Sequence, residues 1–227
     1  MFTDFIDQFE HIIQRAKDSP VLTDPWPHMY ITEVFTSDFY RQACEFENGR
    51  NLIRSTSEGR TQTVFDIHSQ YYQDHTEKFN DATSRLFDVL SAKFGYEFKE
   101  KIPCTTTHWI DTHKLGINDI HVDAFFDTKF TISGQIYLPE DDSQRHYGTR
   151  LYKYIGDNIA EDAVQDSGAD YPHIVHGDND NFKLVRTVPF MPNCMLVTTN
   201  EPNSWHQAPT NIANGDRRKS LMLRWKV

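Results

Sequence analysis

The chain has 227 residues, a formal net charge of −10 at pH 7, and 16 Phe and 10 Tyr that can fill a core. This length fits one domain, and a second full domain would be cramped. The acidic balance argues against nucleic acid as the main partner, which requires a net basic face. The chain has no apolar run of about 18 residues that could span a membrane. The segment 1–17 lacks the apolar stretch of a signal peptide. These features predict a cytoplasmic protein.

The three cysteines are odd in number and widely spaced, with no CxxC pair. Such usage predicts reduced, buried thiols rather than disulfides. They are Cys44, Cys104 and Cys194.

Helices are predicted in three segments of the first 95 residues, two of them from the spacing of their apolar residues. These helices are predicted over 2–16, from Ser37 to about residue 46, and over 76–94, where Gly95 supplies the C-terminal stop. A short strand is predicted over 26–35. The polar segment 48–75 is ambiguous, and no assignment is made there.

From residue 97 onwards the chain consists of short β-rich runs separated by turns. Helices first and short strands after predict an α+β or mainly β fold, a double-stranded β-helix (jelly roll, cupin-like) braced by N-terminal helices. The prediction is one domain over 1–227, with helical support over 1–95 and a jelly-roll core over 97–227. The segment 139–182 is predicted to be an insertion, because so long a connection is typical of a functional lid or excursion. The predicted strands cover 97–110, 118–126, 128–138, 147–154, 183–188, 194–200 and 218–226.

Candidate metal ligands lie in two of these strand regions. His121 and Asp123 are two positions apart, so on a strand their side chains share one face. His206 follows Trp205 at the end of a later strand region. Two imidazoles and one carboxylate on one face of a metal leave three positions open, which suits a non-haem Fe(II) that activates oxygen.

Two further strands carry polar faces. The strand 131–138 presents Thr131, Ser133, Gln135 and Tyr137 on one side. On the last strand, Arg218 and Ser220 share a face and could together receive a carboxylate.

The order HxD, Tyr-Leu (137–138), Trp-His (205–206) and Arg-x-Ser (218–220) resembles the Fe(II)/2-oxoglutarate-dependent oxygenases, in particular their prolyl-hydroxylase-like branch. The resemblance covers about residues 118–227. The lead-in Pro-Trp-Pro-His-Met-Tyr-Ile (25–31) also resembles that of many bacterial and phage members.

The resemblance implies that His121, Asp123 and His206 bind Fe(II). It also implies that Arg218, helped by Ser220, Tyr137 and to a lesser extent Ser133, binds the distal carboxylate of 2-oxoglutarate. The implied reaction consumes O2 and 2-oxoglutarate, releases succinate and carbon dioxide and hydroxylates a C–H bond, with ascorbate as a reductant. A carboxylate at 123 favours hydroxylation over halogenation. The implied substrate is an amino acid, a peptide (prolyl residues included) or a small metabolite.

Several alternatives remain open from the sequence. Residues 147–151 stand where many members have a Gly-Gly-Glu-like turn, which weakens a specific prolyl-hydroxylase assignment. Arg217 competes with Arg218, and Arg224 either binds a substrate anion or pairs with an acidic residue.

Other open alternatives concern the kind of site. His206 could be a packed core residue, and His108 or His113 could complete a cupin-type three-histidine site. At the level of the whole protein, the alternatives are a jelly-roll binding module without turnover and a nucleic-acid demethylase.

Overall fold

The structure is a computed structural model. It describes residues 2–45, 52–57, 59–65, 68–98, 102–113, 120–122, 130–158, 164–165, 172–173, 180–199, 201, 203–209 and 211–226.

Five helices are found in the described part of the chain. The segment predicted as one helix over 2–16 is two helices separated at Gln8, whose side-chain oxygen accepts hydrogen bonds from the backbone N–H and hydroxyl of Thr36. The helix over 76–94 agrees with its prediction, and Gly95 ends it in the left-handed conformation, with φ of 80°. The helices are α1 Phe2–Asp7, α2 Phe9–Asp18, α3 Ser37–Cys44, α4 Gln70–Gln73 and α5 Thr76–Phe94. Within the described residues, no helix combines the length and apolar character needed to cross a membrane.

Most strands form two antiparallel sheets. The strands are β1 His28–Thr32, β2 Leu52–Ser57, β3 Arg60–Phe65, β4 Cys104–Asp111, β5 Phe130–Tyr137, β6 Thr149–Tyr154, β7 Val164–Gln165, β8 Pro172–His173, β9 Phe182–Val188, β10 Cys194–Thr199, β11 His206–Gln207 and β12 Arg218–Lys226. The larger sheet has the order β1-β10-β5-β12-β4-β3-β2 and the smaller one β11-β6-β9, while β7 and β8 pair separately. A 3₁₀ helix, Asp142–Tyr147, precedes β6.

The larger sheet has one apolar face and one polar face, because side chains alternate along each strand. On β12, Leu221, Leu223 and Trp225 belong to the core that also contains the buried faces of α1, α2, α3 and α5. The alternate residues of this strand, from Arg218 to Arg224, point to the opposite side of the sheet. Helices therefore cover the outer face, and the polar inner face is left to build a site.

The smaller sheet corrects the predicted insertion over 139–182. Its central strand β6 lies inside that segment and pairs with both β9 and β11. A strand in the middle of a sheet is part of the framework, so any excursion between β6 and β9 is confined to 155–181.

The hairpin β2–β3 fills part of the segment left unassigned from the sequence. β3 pairs with β4, and the register places Arg60 opposite Asp111. The larger sheet is thereby extended beyond β4. The three cysteines are free and buried, as predicted.

Candidate active site

His121 and His206 come together from segments far apart in the sequence. Each backbone N–H donates to the other residue's carbonyl, at 2.9 Å and 2.8 Å, which makes an isolated antiparallel bridge at the β11 edge of the smaller sheet. Their imidazole rings lie with centroids 4.4 Å apart. The pairing sets two nitrogen donors side by side.

A hydrogen-bonded turn fixes the ring of His206. Its Nδ1 lies 2.9 Å from the carbonyl of Ser204, which selects the tautomer of the neutral imidazole with the proton on Nδ1 and the lone pair on Nε2. The hydroxyl and backbone N–H of Ser204 both donate to the carbonyl of Glu201. Tyr96, just after α5, donates to the Glu201 carboxylate. Burial, followed by that hydrogen bond, raises the pKa of Tyr96 to about 12, so its phenol remains a donor at neutral pH.

The sequence left open that His206 is a packed core residue, but the residue in the core is its neighbour Trp205. Trp205 is buried with Ile120, Val122, Tyr152 and Phe182 on the other side of the smaller sheet, while the His206 side chain is only partly buried. Alternation along the strand therefore directs Trp205 into the core and the two imidazoles to the inner side. Asp123, the third predicted ligand, lies outside the described residues.

Arg218 lies on the inner face of the larger sheet and its side chain is 1 % exposed. Its Nε donates to the carbonyl of Tyr147 at 2.9 Å, and its Nη1 donates to Oδ2 of Asp111 at 3.0 Å. Among the residues that the structure describes, its Nη2 has two long contacts, each of 3.5 Å, to the side-chain oxygens of Gln135 and Thr149. Two of the three guanidinium nitrogens are thus held firmly, and Nη2 keeps capacity for a further acceptor.

Polar groups surround the Nη2 edge of this guanidinium. The Tyr137 and Thr149 hydroxyls are 2.9 Å apart, and Gln135 donates to the Ser220 hydroxyl at 3.1 Å. Burial raises the pKa of Tyr137 and the positive charge of Arg218 opposes that shift, so the phenol stays protonated and able to donate. The rings of Tyr137 and Phe190 lie 5.7 Å and 5.1 Å from the Arg218 Cζ. Together, the Nη2 edge of Arg218 and the surrounding hydroxyl groups have donors enough to bind one carboxylate.

The other predicted co-substrate residues divide between two places. Ser220 pairs directly with Tyr137 across β12 and β5, close to Arg218. Ser133 lies four residues before Tyr137 on β5 and pairs instead with Arg224, and the structure does not bring it to Arg218. Arg217 is exposed, whereas its neighbour Arg218 is buried. The burial favours Arg218 over Arg217 as the carboxylate anchor.

Arg224 stacks on the indole of Trp109, with its Cζ 4.6 Å from the ring centroid. Among the described residues it forms no ion pair, and it is partly exposed at the far end of the inner face from Arg218. This placement does not support pairing with an acidic residue, one of the two alternatives left open. The indole N–H of Trp109 is buried and has no hydrogen-bond partner within the described residues.

The positions of His108 and His113 do not support the cupin-type alternative, a three-histidine metal site. His108 is buried on the outer face of β4, opposite Leu221 and Thr63 and on the other side from Trp109. His113 is exposed beyond the end of β4. Neither is presented on the inner face that holds Arg218.

The sequence analysis missed two charged residues of this site, Asp111 and Arg60. Asp111 is fully buried and receives hydrogen bonds from both Arg60 and Arg218. The sequence could have indicated Asp111, because it lies two residues after Trp109 and therefore on the same face of the strand, which ends at Asp111. No such signal was available for Arg60, because its place depends on the pairing of β3 with β4.

Comparisons with known proteins were made by sequence and by structure. No protein-family model and no curated protein sequence matches the chain. A Pseudomonas putida prolyl-4-hydroxylase superposes with a TM-score of 0.52 at 14% identity, covering 96% of this chain and 98% of that chain. A prolyl hydroxylase from Trichoplax adhaerens, in complex with a hypoxia inducible factor oxygen degradation domain peptide fragment, has a TM-score of 0.52 at 10% identity, covering 99% and 91%. The epimerase SnoN in complex with Fe3+, alpha ketoglutarate and nogalamycin RO has a TM-score of 0.46 at 12% identity, covering 96% and 82%.

The two prolyl hydroxylases match nearly the full length of this chain, helices and both sheets included. At such low identity the likeness concerns the fold, and the TM-scores of 0.52 are the basis for it. The chain therefore has the fold of the prolyl-hydroxylase-like 2-oxoglutarate oxygenases.

Proposed function

We propose that this protein is an Fe(II)- and 2-oxoglutarate-dependent dioxygenase that hydroxylates a C–H bond. The observation that carries the proposal is the pairing of His121 with His206, whose rings lie 4.4 Å apart on a fold shared with prolyl hydroxylases. O2 would be the oxidant, and bound Fe(II) would supply the chemistry that activates it. Of the four electrons that O2 accepts, two would come from the decarboxylation of 2-oxoglutarate and two from the C–H bond. One O2 and one 2-oxoglutarate are thus consumed for one C–OH, one succinate and one carbon dioxide.

The donor set fits a divalent iron. The Ser204 carbonyl holds the proton on Nδ1 of His206, and this leaves Nε2 for the metal in the orientation usual for metal-binding histidines. His121 lies beside it, and Asp123 would share the face of His121 if the strand continues through it. In this proposal the three side chains bind the metal from one side and leave the other side open.

The environment of Arg218 fits the distal carboxylate of 2-oxoglutarate. Nη2 of Arg218 and the hydroxyls of Tyr137, Thr149 and Ser220 are donors on one inner face. A carboxylate placed among them would accept charge-assisted hydrogen bonds, which are stronger than neutral ones. Thr149 joins the residues that the sequence analysis assigned, because β6 faces β5 across the two sheets.

The strand orders support a finer description of the fold. In this proposal β4, β5, β10 and β12 form one sheet of a jelly roll, and the strand around His121 together with β6, β9 and β11 forms the other. The bridge between His121 and His206 supports the position of that first strand beside β11. Helices α1, α2, α3 and α5 brace the outside.

For the substrate we keep the class implied by the sequence, an amino acid, a peptide that includes prolyl residues, or a small metabolite. Arg224 supports a substrate with an anionic group, since its guanidinium stacks on Trp109 without an ion-pair partner among the described residues. A guanidinium placed over an indole ring can still direct N–H groups to an oxyanion.

Turnover without the natural substrate tests the proposal. Purified protein is incubated with Fe(II), ascorbate, O2 and 2-oxoglutarate, and succinate is measured. Oxygenases of the proposed kind are expected to decarboxylate 2-oxoglutarate slowly when uncoupled, so succinate should appear only with Fe(II). His206→Ala is the matched variant and should make none.

The binding-module alternative predicts a different outcome. If the protein binds 2-oxoglutarate with Mn(II) but yields no succinate above the His206→Ala background, with or without added amino acids and peptides, the oxygenase assignment is wrong.

A further inference from the structure

The buried anchor Arg218 is paired with a carboxylate of the protein itself. Oδ2 of Asp111 accepts from Nη1 of Arg218 at 3.0 Å, and both side chains are almost inaccessible, at 0 % and 1 % exposed. An arginine whose charge is cancelled by an adjacent carboxylate is a poor receptor for a second carboxylate, because the two anions repel each other in a region of low dielectric constant. Taken alone, this pair would weaken the proposed co-substrate pocket.

A second guanidinium changes the charge balance of the pocket. Nε of Arg60 donates to Oδ1 of Asp111 at 2.6 Å and its Nη2 donates to Oδ2 at 3.2 Å. The register of the sheet places Arg60, Asp111 and Arg218 in one row across β3, β4 and β12. Two guanidiniums and one carboxylate leave this row with a net charge of +1, which one ligand carboxylate neutralises.

The Arg60 side chain is held in place for this role from two sides. Its guanidinium also stacks on Trp109, with Cζ 4.2 Å from the ring centroid, and its side chain is 22 % exposed. The residue comes from the hairpin β2–β3, which adds to the edge of the larger sheet next to β4. Arg60 does not need to touch the ligand, since it acts through the oxygens of Asp111.

We propose that Arg60 is a positioning residue that sets the charge of the co-substrate pocket: by engaging Asp111 it leaves the guanidinium of Arg218 able to bind the distal carboxylate of a 2-oxo dicarboxylic acid. The inference rests on the proposed function and adds a residue and a role to it. Asp111 holds the Arg218 guanidinium in its orientation, and Arg60 offsets the negative charge that this hold introduces.

The charge count predicts an order of affinities that packing alone would not produce. The row carries +1 in the wild type, 0 in Arg60→Gln, +2 in Asp111→Asn and +1 again in the double variant. Arg60→Gln should therefore weaken 2-oxoglutarate binding at least tenfold. Adding Asp111→Asn to it should bring the affinity back to within about threefold of the wild type, although a second buried hydrogen-bonding group has been altered.

The experiment measures the dissociation constant of 2-oxoglutarate by isothermal titration calorimetry of the full chain loaded with Mn(II). Arg60→Lys keeps the charge and should stay near the wild type. Arg54→Gln makes the same charge change at an exposed position on the same hairpin and should have no effect. A thermal melt of each variant reports whether it is folded.

A second ligand isolates the distal carboxylate. The competitor 2-oxopentanoate has the same keto-acid end but a methyl group in place of that carboxylate. Its affinity should be the same in the wild type and in Arg60→Gln, because the row of charges then has no anion to attract.

Two results would overturn the inference: unchanged 2-oxoglutarate binding in Arg60→Gln, or a double variant that binds as weakly as Arg60→Gln or more weakly. Each of these results overturns the inference only if the wild-type protein binds 2-oxoglutarate. A wild type that does not bind it would instead refute the proposed function, so the two failures are distinguishable.

Discussion

Single buried side chains determine what this site can bind. An unpaired guanidinium buried to the extent of Arg218 would cost several kcal/mol, so a partner is required for the fold. Asp111 is that partner, and the Tyr147 carbonyl satisfies a second edge. The remaining edge, Nη2, has contacts of 3.5 Å within the described part of the chain, and this is the edge we assign to the co-substrate.

Replacing Arg218 tests this assignment at the residue scale. Arg218→Ala should weaken 2-oxoglutarate binding at least tenfold, or about 1.4 kcal/mol, since the ion pair to the distal carboxylate is lost. Mn(II) binding alone should be unaffected. Both are measured by calorimetric titration.

Arg217→Ala is the matched control, because the two arginines are adjacent and only Arg217 is exposed. The assignment is wrong if Arg217→Ala, rather than Arg218→Ala, weakens 2-oxoglutarate binding.

His28 gives the folded protein a pH-dependent stability. It is fully buried, its Nδ1 lies 2.8 Å from the Trp26 carbonyl, and burial lowers the pKa of its imidazole below the ordinary value. Below about pH 6.5 the unfolded chain therefore binds more protons at this residue than the folded protein does. The stability that neutral His28 contributes is fully present above about pH 6.5 and is lost as the pH falls towards the lowered value.

Asn at position 28 removes this titration and keeps a donor near the Trp26 carbonyl. We expect the free energy of unfolding to fall less between pH 7 and pH 5 in His28→Asn than in the wild type, by urea denaturation at each pH. Parallel pH profiles for the two proteins would show that His28 is not the titrating group.

At the scale of elements, the close approach of the start of β6 to the end of β9 depends on one glycine. Gly148 has an ordinary φ of −73°, so its backbone conformation is open to other residues. A Cβ added there would lie 1.8 Å from the carbonyl oxygen of Val188, which is too close for any two atoms that are not bonded. The glycine is required by the close approach of two backbones, and it lies between Tyr147 and Thr149, two neighbours of Arg218.

Alanine substitutions at two glycines test this close approach. Gly148→Ala should cost on the order of 1–3 kcal/mol or more in unfolding free energy, because backbone atoms must move apart. Gly134→Ala should cost less, since its Cβ would meet the flexible Met195 side chain, with Sδ at 3.1 Å. Chemical denaturation of the two variants gives the comparison, and equal losses would contradict it.

At the scale of the whole molecule, the larger sheet separates an apolar core from a polar interior. Helices bury its outer face, and the smaller sheet stands opposite its inner face. The two candidate sites are contributed by different sheets, the imidazoles by the smaller one and the guanidiniums by the larger one. Ligands that join the two sites should therefore stabilise the whole fold.

Thermal melting measures this coupling. A ligand that binds only the folded state stabilises it by about 2.7 kcal/mol at a hundredfold excess over its dissociation constant, and a rise of several degrees in Tm is expected for a chain of this size. Mn(II) with 2-oxoglutarate should raise Tm in the wild type but not in His121→Ala. A rise of the same size in both proteins would show that the metal binds elsewhere.

Much of the fold could be predicted because its signals are local. The stripe of α5 and its stop at Gly95 gave the helix its bounds, and alternation gave β12 its two faces. Residues 48–75 could not be assigned, since β2 and β3 are polar strands whose positions depend on the pairing of β3 with β4, with β2 added at the sheet edge by its pairing with β3. The same limit made β6 look like part of an insertion, because its partners β9 and β11 are distant in sequence.

The sequence by itself determined the candidate ligands, the candidate strand for carboxylate binding and the class of fold, because periodicity and motif order are properties of neighbouring residues. Only the tertiary structure decided which arginine is buried, that Ser133 lies with Arg224 rather than Arg218, and that Arg60 and Asp111 lie in one row with Arg218. The physical reason is that burial and ion pairing depend on which strands lie side by side, and long-range pairing sets that register.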